Sequence, residues 1–365
     1  MASARLDASP CPTPAWLPDG HSQTIYGALF AHHHRIAFVR ERVNTPDGDF
    51  VDIDWTGPGL FPHKAPAGES MAALAITEKK TAAARWASDA DWAALPNTPL
   101  TPALVLFHGL EGGSKSRYAQ SIAHHFRARG WVVAIAHFRG CSGTPNRLAR
   151  AYYSGDSDEV KFLLGATQRR VPHARWHAVG VSLGGNALLK YLGEQGSDIA
   201  GLHACAGVSV PMDLVAGGNQ LSKNFFNRHV YTAHFLKTMK HKVMEKARRF
   251  PGAIDVMRIS HARDLRDFDD AYTAPMHGYR NALDYWTRAS SKPHLRTIAL
   301  PTLILNARND PFMPAAALPG PADCAEPVLL HQPPEGGHAG FPAGAFPGHL
   351  NWLPQRLGRF FETGL

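Results

Sequence analysis

A serine, an aspartate and a histidine of this chain occur in an order and in local patterns that could attack a carbonyl carbon. Ser182 lies in the pentapeptide Gly-Val-Ser-Leu-Gly, which fits the G-x-S-x-G pattern of a sharp turn from a strand into a helix. Gly180 and Gly184 leave room beside such a turn, where a side chain would collide. A serine at its tip becomes a nucleophile when a neighbouring imidazole accepts its proton.

The residues on both sides of Ser182 have the patterns that this turn requires. Residues 175–181 (RWHAVGV) are apolar and β-branched, which is typical of a buried strand. Residues 186–194 (NALLKYLGE) have apolar positions at helical spacing and end near Gly196. A short Gly/Ser string also occurs in ordinary turns, so an acid and a base elsewhere in the chain must decide between the two interpretations.

The candidate acid and base each follow a short apolar stretch near the end of the chain. Residues 301–306 (PTLILN) predict a buried strand, and Asp310 lies on the loop after it. Residues 327–331 (PVLLH) predict the last strand, and the loop of glycines and prolines that follows carries His338. Singly, an Asp-Pro pair is a common turn and a histidine in a glycine loop is usually solvated. The order Ser182, Asp310, His338 predicts a catalytic triad.

A glycine-rich segment follows another apolar stretch. Residues 103–107 (ALVLF) predict a strand, and residues 108–114 (HGLEGGS) predict a turn whose backbone amides can approach a bound carbonyl oxygen. The amide of Leu110, together with that of Leu183 next to the nucleophile, would form the oxyanion hole. A phosphate-binding loop is the alternative interpretation, but Ser114 stands where the Walker pattern requires its second glycine.

Strand and helix patterns alternate from residue 104 to residue 210. Strands are expected at 131–136 and 202–210, and helices at 116–129 and 158–169, in addition to the segments around Ser182. Alternation of this kind predicts an α/β fold with a mainly parallel central sheet flanked by helices.

Two features precede this alternation. Strand patterns at 36–43 and 50–55 flank Asp47-Gly48, a pair typical of a hairpin turn. Residues 57–100 are rich in alanine and proline, and we interpret them as an insertion or a long connection.

The strand patterns stop at Pro211. Residues 212–292 have little strand pattern but contain helical stretches, among them 235–250 with the basic cluster LKTMKHKVMEKARR, and 282–289. We interpret residues 212–292 as a helical cap over an acyl-binding pocket, inserted within a single domain spanning residues 1–365. The alternative is an outer helical layer with no role in substrate selection.

Several stretches resemble the YheT-like group of α/β-hydrolases, a group of predicted esterases related to the abhydrolase-domain proteins and to the yeast medium-chain ethyl ester synthase/esterases. The early Gln-Thr-Ile and the FRGCSG segment are more distinctive than the G-x-S-x-G pattern. The matching stretches are residues 17–26 (LPDGHSQTIY), 107–114, 138–143 (FRGCSG), 153–158, the Ser182 pentapeptide and 306–312.

The resemblance implies the α/β-hydrolase fold and a serine hydrolase that acts on acyl esters with Ser182, Asp310 and His338 as its triad. This chemistry requires no cofactor and no metal ion. The chain departs from the group at Asn309, where relatives often carry a second aspartate. Asp310 is then the carboxylate expected to serve at this place.

Composition sets limits on location and partners. The chain has 365 residues, 44% of them hydrophobic, with a formal net charge of +8 and a pI near 9.4. Because its lysines and arginines are spread along the chain without a recognition motif, nucleic-acid binding is not expected. The first 30 residues lack the apolar region of a signal peptide, and no uncharged apolar stretch approaches the ~18 residues of a membrane span. We therefore expect a cytoplasmic protein.

Neither the cysteines nor the histidines predict a metal centre. The cysteines are widely spaced without a CxxC pair, and we expect reduced thiols. Adjacent histidines point in different directions on a strand or helix, and no HExxH pattern occurs. The residues concerned are Cys11, Cys141, Cys205 and Cys324, the run His32, His33 and His34, and the pair His124 and His125.

Three functions remain open on the sequence. The first is hydrolysis of a small acyl ester through an acyl-enzyme formed on Ser182. The second is transfer of the same acyl group to an alcohol, and the third is a non-catalytic α/β-hydrolase scaffold that binds a small ligand. Such scaffolds usually lack a triad residue, and here Ser182, Asp310 and His338 are all present. The acyl chain, the alcohol group and the oligomeric state are not indicated.

Overall fold

The computed structural model describes residues 4–60 and 84–365, and one sheet of ten strands runs through it. The strand order across the sheet is β1-β10-β9-β8-β7-β5-β6-β3-β2-β4. The strands are β1 (Arg5–Asp7), β2 (Val39–Asn44), β3 (Phe50–Thr56), β4 (Arg85–Trp86), β5 (Pro102–Phe107), β6 (Val132–Ala136), β7 (Arg175–Val181), β8 (Leu202–Val208), β9 (Thr302–Leu305) and β10 (Val328–His331).

The sheet is parallel from β1 to β6 across the molecule, and β3 pairs antiparallel with both β6 and β2. Strands buried on both faces need apolar residues at nearly every position, which explains the continuous runs at β5 and β6. The prediction of an α/β fold with a mainly parallel sheet is confirmed.

Helices cover both faces of the sheet. Along β5, Val105 faces the cluster built with α4 and α5, whereas Leu104 and Leu106 face the cluster built with α3 and α12. The α-helices of the described residues are α1 (Gly20–Leu29), α2 (Asp89–Ala94), α3 (Arg117–Arg127), α4 (Ser157–Arg170), α5 (Leu183–Gln195), α6 (Leu214–Lys223), α7 (Ala233–Arg249), α8 (Val256–His261), α9 (Leu265–Phe268), α10 (Ala274–Met276), α11 (Ala282–Ala289) and α12 (Trp352–Thr363).

The expected hairpin is present at the antiparallel edge. Asn44 pairs with Phe50, and Gly48 turns the chain with a φ of +84°, a left-handed conformation that glycine adopts without strain. Residues 57–100 lie only partly within the described chain. The described part forms β4, which pairs with β2, and the short helix α2.

Residues 212–292, all of which are described, are helical and contain no strand. They carry two hydrophobic clusters of their own, one around Phe268 and Tyr272 and the other around Tyr285 and Trp286. The helical pattern at 282–289 coincides with α11, and the pattern at 235–250 corresponds to α7.

Two N-terminal elements were not predicted. Strand β1 adds to the outer edge of β10, with Leu6 opposite Leu330, and α1 begins after Asp19, whose side chain accepts a hydrogen bond from Ser22 N. Across residues 4–60 and 84–365, no helix is both long enough and apolar enough to cross a membrane.

Candidate active site

Ser182 lies at the tip of the turn between β7 and α5, with φ 52° and ψ −120°. A non-glycine residue in this region is strained and is held by its surroundings. A Cβ on Gly180 would lie 2.5 Å from the carbonyl oxygen of Gly184. A Cβ on Gly184 would lie 2.5 Å from the carbonyl oxygens of Phe107 and His108, so both glycines are required for the turn.

The structure brings the three residues of the predicted triad together. His338 Nε2 lies 3.0 Å from Ser182 Oγ, and His338 Nδ1 lies 2.7 Å from Asp310 Oδ2. Asp310 is only 4% exposed, and its other carboxylate oxygen accepts a hydrogen bond from Phe312 N at 2.8 Å. An imidazole held between a hydroxyl and a buried carboxylate can take up the proton of that hydroxyl.

The loop that carries His338 is held through its backbone. Four consecutive amides of this loop each donate a hydrogen bond to a side chain from another part of the fold, which fixes the path of the chain on both sides of the imidazole. The pairs are Gly336 N to Gln23 Oε1 (3.0 Å), Gly337 N to Asn309 Oδ1 (3.1 Å), His338 N to Thr24 Oγ1 (2.9 Å) and Ala339 N to Ser209 Oγ (2.9 Å).

Two of these supporting residues belong to α1. Gln23 is buried, and its Oε1 also accepts from Asn309 Nδ2 at 2.9 Å while its Nε2 donates to Leu17 O at 3.0 Å. A Cβ on Gly20 would lie 1.9 Å from the carbonyl oxygen of Asn309, so only glycine lets the helix approach this closely. The sequence analysis did not predict that α1 holds the loop that carries His338, although residues 17–26 (LPDGHSQTIY) were among the stretches that resemble the YheT-like group.

The loop after β5 presents one unused amide beside the nucleophile. A Cβ on Gly109 would lie 3.1 Å from Ser182 Cβ, so the loop passes directly over the serine. The amides of Gly109 and Glu111 donate to the hydroxyls of Tyr118 and Tyr152, at 2.9 and 2.8 Å. Between them, the amide of Leu110 has no hydrogen-bond partner within the described chain.

Leu183 offers a second free amide on the other side of Ser182. It is the first residue of α5, where a helix leaves its backbone amides without an internal partner. Leu110 and Leu183 both line the cavity that contains Ser182 and His338. Two such amides can stabilise the negative charge that develops on a carbonyl oxygen under attack.

The far end of this loop is tied to β3 through a buried carboxylate. Asp54 accepts hydrogen bonds from Ser114 Oγ (2.6 Å) and His137 Nε2 (2.9 Å), and its two oxygens accept from Nε and Nη2 of Arg40 (2.7 and 2.8 Å). Burial alone would raise the pKa of Asp54, but the hydrogen bonds from Arg40 and His137 hold that pKa well below its usual range.

Ser182 and His338 open into a largely apolar cavity of about 850 Å³, including its mouth. The helical segment supplies much of its wall. Residues from that segment are Leu214, Gly217, Gly218, Leu221, Phe235, Met239, Leu265, Asp269, Thr273, Tyr285 and Trp286. Gly218 lies against the Trp286 ring, which a Cβ would approach to 2.6 Å. The wall around Ser182 is therefore mainly apolar.

One carboxyl group interrupts the apolar wall. Asp269 is buried, accepts a hydrogen bond from Trp286 Nε1 at 2.8 Å, and lies in a π-helical stretch, Asp269–Thr273. Burial raises the pKa of Asp269 to about 7. Asp269 is therefore bonded to an indole, whereas Asp310 is the carboxylate that is bonded to the imidazole of His338.

The described residues contain no group of three or more histidine, cysteine or acidic side chains that could hold a metal ion. His34 and His124 stack with ring centroids 3.8 Å apart, and His33 Nδ1 lies 2.9 Å from Arg117 Nη1.

The profile of the α/β-hydrolase fold family matches residues 102–345. Together with the sheet and its strand-serine-helix turn, this match shows that the chain belongs to the α/β-hydrolase family. Within that family it is 34% identical to YheT of Escherichia coli over 348 residues, which cover 94% of this chain and 91% of YheT. The predicted resemblance to the YheT-like group is confirmed.

Two eukaryotic relatives match over nearly the same length. Phospholipase ABHD3 of Homo sapiens is 26% identical over 353 residues, covering 95% of this chain and 77% of the relative. Monoacylglycerol lipase of Saccharomyces cerevisiae is 26% identical over 354 residues, covering 94% of this chain and 76% of the relative.

Proposed function

We propose that this protein is a serine hydrolase that cleaves small-molecule carboxylic esters through an acyl-enzyme intermediate on Ser182. The observation that carries the proposal is the position of His338, 3.0 Å from Ser182 Oγ and 2.7 Å from Asp310 Oδ2, at an apolar cavity. Relatives named as a phospholipase and a monoacylglycerol lipase support an acyl ester as the substrate.

The reaction follows from the positions of these groups. His338 takes the proton of Ser182 as the hydroxyl oxygen attacks the ester carbonyl carbon, and Asp310 stabilises the imidazolium. The amides of Leu110 and Leu183 hold the oxyanion of the tetrahedral intermediate. His338 then protonates the departing alcohol as the ester bond breaks, and a water molecule, activated by the same imidazole, releases the acid.

The test is a comparison of Ser182→Ala with wild type. We expect the variant to keep its fold and to lose nearly all turnover of a 4-nitrophenyl ester, by about a thousandfold or more, because only oxyanion stabilisation and binding remain. A fluorophosphonate probe should label wild type and not the variant. Wild-type-like turnover or labelling of Ser182→Ala would show that another residue is the nucleophile.

Ser121→Ala is the matched control. Ser121 is also buried, but it lies in α3, and its hydroxyl has no hydrogen-bond partner among the described residues. Its removal should leave labelling unchanged. Product analysis with added ethanol separates hydrolysis from acyl transfer, since an ethyl ester would accumulate if the alcohol replaces water.

A further inference from the structure

A second cavity adjoins the catalytic one and shares part of its wall. It has an empty volume of about 980 Å³, including its opening to solvent. Leu110, whose amide we propose as part of the oxyanion hole, lines both cavities, as do Tyr152, Met239 and Thr273. An ester whose carbonyl lies at Leu110 can therefore place one of its two parts in each cavity.

One face of α7 forms the roof of this second cavity. Met239, Lys242, Val243, Lys246 and Arg249 recur at intervals of three and four residues, which places them on the same side of a helix. The basic cluster seen in the sequence is thus partly directed into a cavity rather than only into solvent.

Lys246 carries an ammonium group without a carboxylate partner. The residue is only 7% exposed, and its Nζ donates to the carbonyl oxygens of Leu148, Ala149 and Arg150 at 3.3, 3.4 and 2.5 Å. Within the described residues no carboxylate lies within 4 Å of it. Burial lowers the pKa of Lys246 to about 8, and the more distant carboxylate of Asp49 offsets this effect only in part.

Arg249, an exposed residue on the same face of α7, adds a second cation to the lining. Its guanidinium donates to the carbonyl oxygen of Asn146 at 2.8 Å, and no carboxylate within the described chain reaches it. Two other basic residues that line this cavity form ion pairs. Lys242 pairs with Glu111, and Arg139 pairs with carboxylates that do not line the cavity, among them that of Glu159. Glu245, which is exposed, is the remaining acidic residue of the lining.

We propose that this second cavity binds an anionic group, a carboxylate or a phosphate, on the alcohol part of the ester, while the acyl chain lies in the catalytic cavity. The proposal rests on the proposed ester hydrolysis and specifies its substrate. The buried ammonium group of Lys246 contributes positive charge to this cavity. The exposed guanidinium of Arg249 can make a bidentate contact to a carboxylate or a phosphate.

The test uses two esters of the same acid that differ by one charge, 4-nitrophenyl butanoate and 3-carboxy-4-nitrophenyl butanoate. We expect wild type to prefer the anionic ester by about tenfold in kcat/KM, and added salt to reduce the preference. Arg249→Met should lower the ratio of the two kcat/KM values by about fivefold or more. Arg248→Met removes the same charge from the same helix outside the cavity, and should leave the ratio unchanged.

Inhibition distinguishes the two anions. Benzoate and phenyl phosphate should each inhibit hydrolysis of the neutral ester more strongly than benzamide does, and the stronger of the two identifies the preferred group. Equal ratios in wild type and Arg249→Met, or inhibition no stronger than that of benzamide, would overturn the inference if the fluorophosphonate still labels Ser182. If wild type is not labelled by the fluorophosphonate and hydrolyses neither ester, the proposed function itself is overturned.

Discussion

Asp310 and Asn309 are neighbours in the chain but make different contacts. We therefore expect Asp310 to act as the acid of the triad, and Asn309 to hold the loop that carries the histidine. Asp310 bonds the imidazole of His338, whereas Asn309 Oδ1 accepts from Gly337 N at 3.1 Å. We expect Asp310→Asn to lower kcat by about a hundredfold or more, because an amide cannot stabilise the imidazolium with a full charge. Asn309→Ala should lower it less than about tenfold, since it removes one hydrogen-bonding group beside the base.

Both variants are assayed on the same ester, with folding checked by circular dichroism. A folded Asp310→Asn protein with turnover close to wild type would show that the imidazole is oriented by a different acid.

The hydroxyl of Thr24 connects α1 to the loop that carries His338. Its Oγ1 accepts from His338 N at 2.9 Å and donates to Gly20 O at 2.6 Å, so it joins α1 to the base. We expect Thr24→Val, which keeps the shape and removes the hydroxyl, to lower kcat by about tenfold with little change in KM, because the imidazole loses its alignment with Ser182. Thr24→Ser should restore most of the rate.

The readouts for Thr24 are steady-state kinetics and the rate of fluorophosphonate labelling, measured beside the thermal stability. A Thr24→Val protein that labels and turns over like wild type would mean that the other three hydrogen bonds of the loop are sufficient.

The proximity of Ser182, Asp310 and His338 could be predicted from sequence because each residue has a local pattern: a G-x-S-x-G turn at Ser182, and loops after apolar strands at Asp310 and His338. Gln23 and Thr24 could not be assigned in this way. Their partners lie 313 and 314 residues further along the chain, and no spacing within one sequence indicates which loop a short helix will meet.

Among the elements, Asp54 on β3 joins Arg40 of β2 and His137 after β6 to Ser114 in the loop after β5. We expect Asp54→Asn to lower the free energy of unfolding at pH 7 by about 3 kcal/mol, because it leaves Arg40 and His137 without their buried partner. The folded pKa of Asp54 lies below its ordinary value, so its stabilising contribution is present above about pH 4 and is lost as the pH falls further. The variant should therefore lose less stability than wild type on acidification.

Denaturant unfolding at pH 7 and at several values below pH 4 measures both effects. Asp198→Asn, which alters an exposed aspartate, should change neither. Identical acid dependence in wild type and Asp54→Asn would show that other groups govern acid unfolding.

Element prediction was most accurate where burial imposes a repeating pattern. The strand at 175–181 and the helix at 282–289 coincide with β7 and α11. Strand β1 was missed because its three residues pair with β10 through the backbone, with Leu6 left exposed, and so show no apolar pattern. An edge strand of this kind depends on the tertiary fold rather than on its own residues.

In the molecule as a whole, the described chain combines one ten-stranded sheet with a helical segment that lines two adjoining cavities, one of which contains Ser182. The α/β class follows from the alternation of patterns along the chain, and residues 212–292 could be recognised as helical. The cavities could not be predicted, since they arise where α7 meets the loops after β5 and β6. The overall charge of +8 likewise does not indicate that Lys246 and Arg249, which have no carboxylate within 4 Å in the described chain, line one cavity.

If the helical segment is a cap that selects the acyl chain, its side chains at the Ser182 cavity should set the preferred chain length. Phe235 on α7 lines the catalytic cavity and contacts Phe312, with ring centroids 5.9 Å apart, and Phe312 in turn lies 4.1 Å from the His338 ring. Phe235→Ala enlarges the cavity, so the ratio of kcat/KM for 4-nitrophenyl octanoate to that for the acetate should rise by about tenfold. Phe225→Ala removes the same ring from the same segment at a position that is 78% exposed, and should leave the ratio unchanged. An unchanged ratio in a folded Phe235→Ala protein would make the helical segment an outer layer without a part in acyl-chain selection.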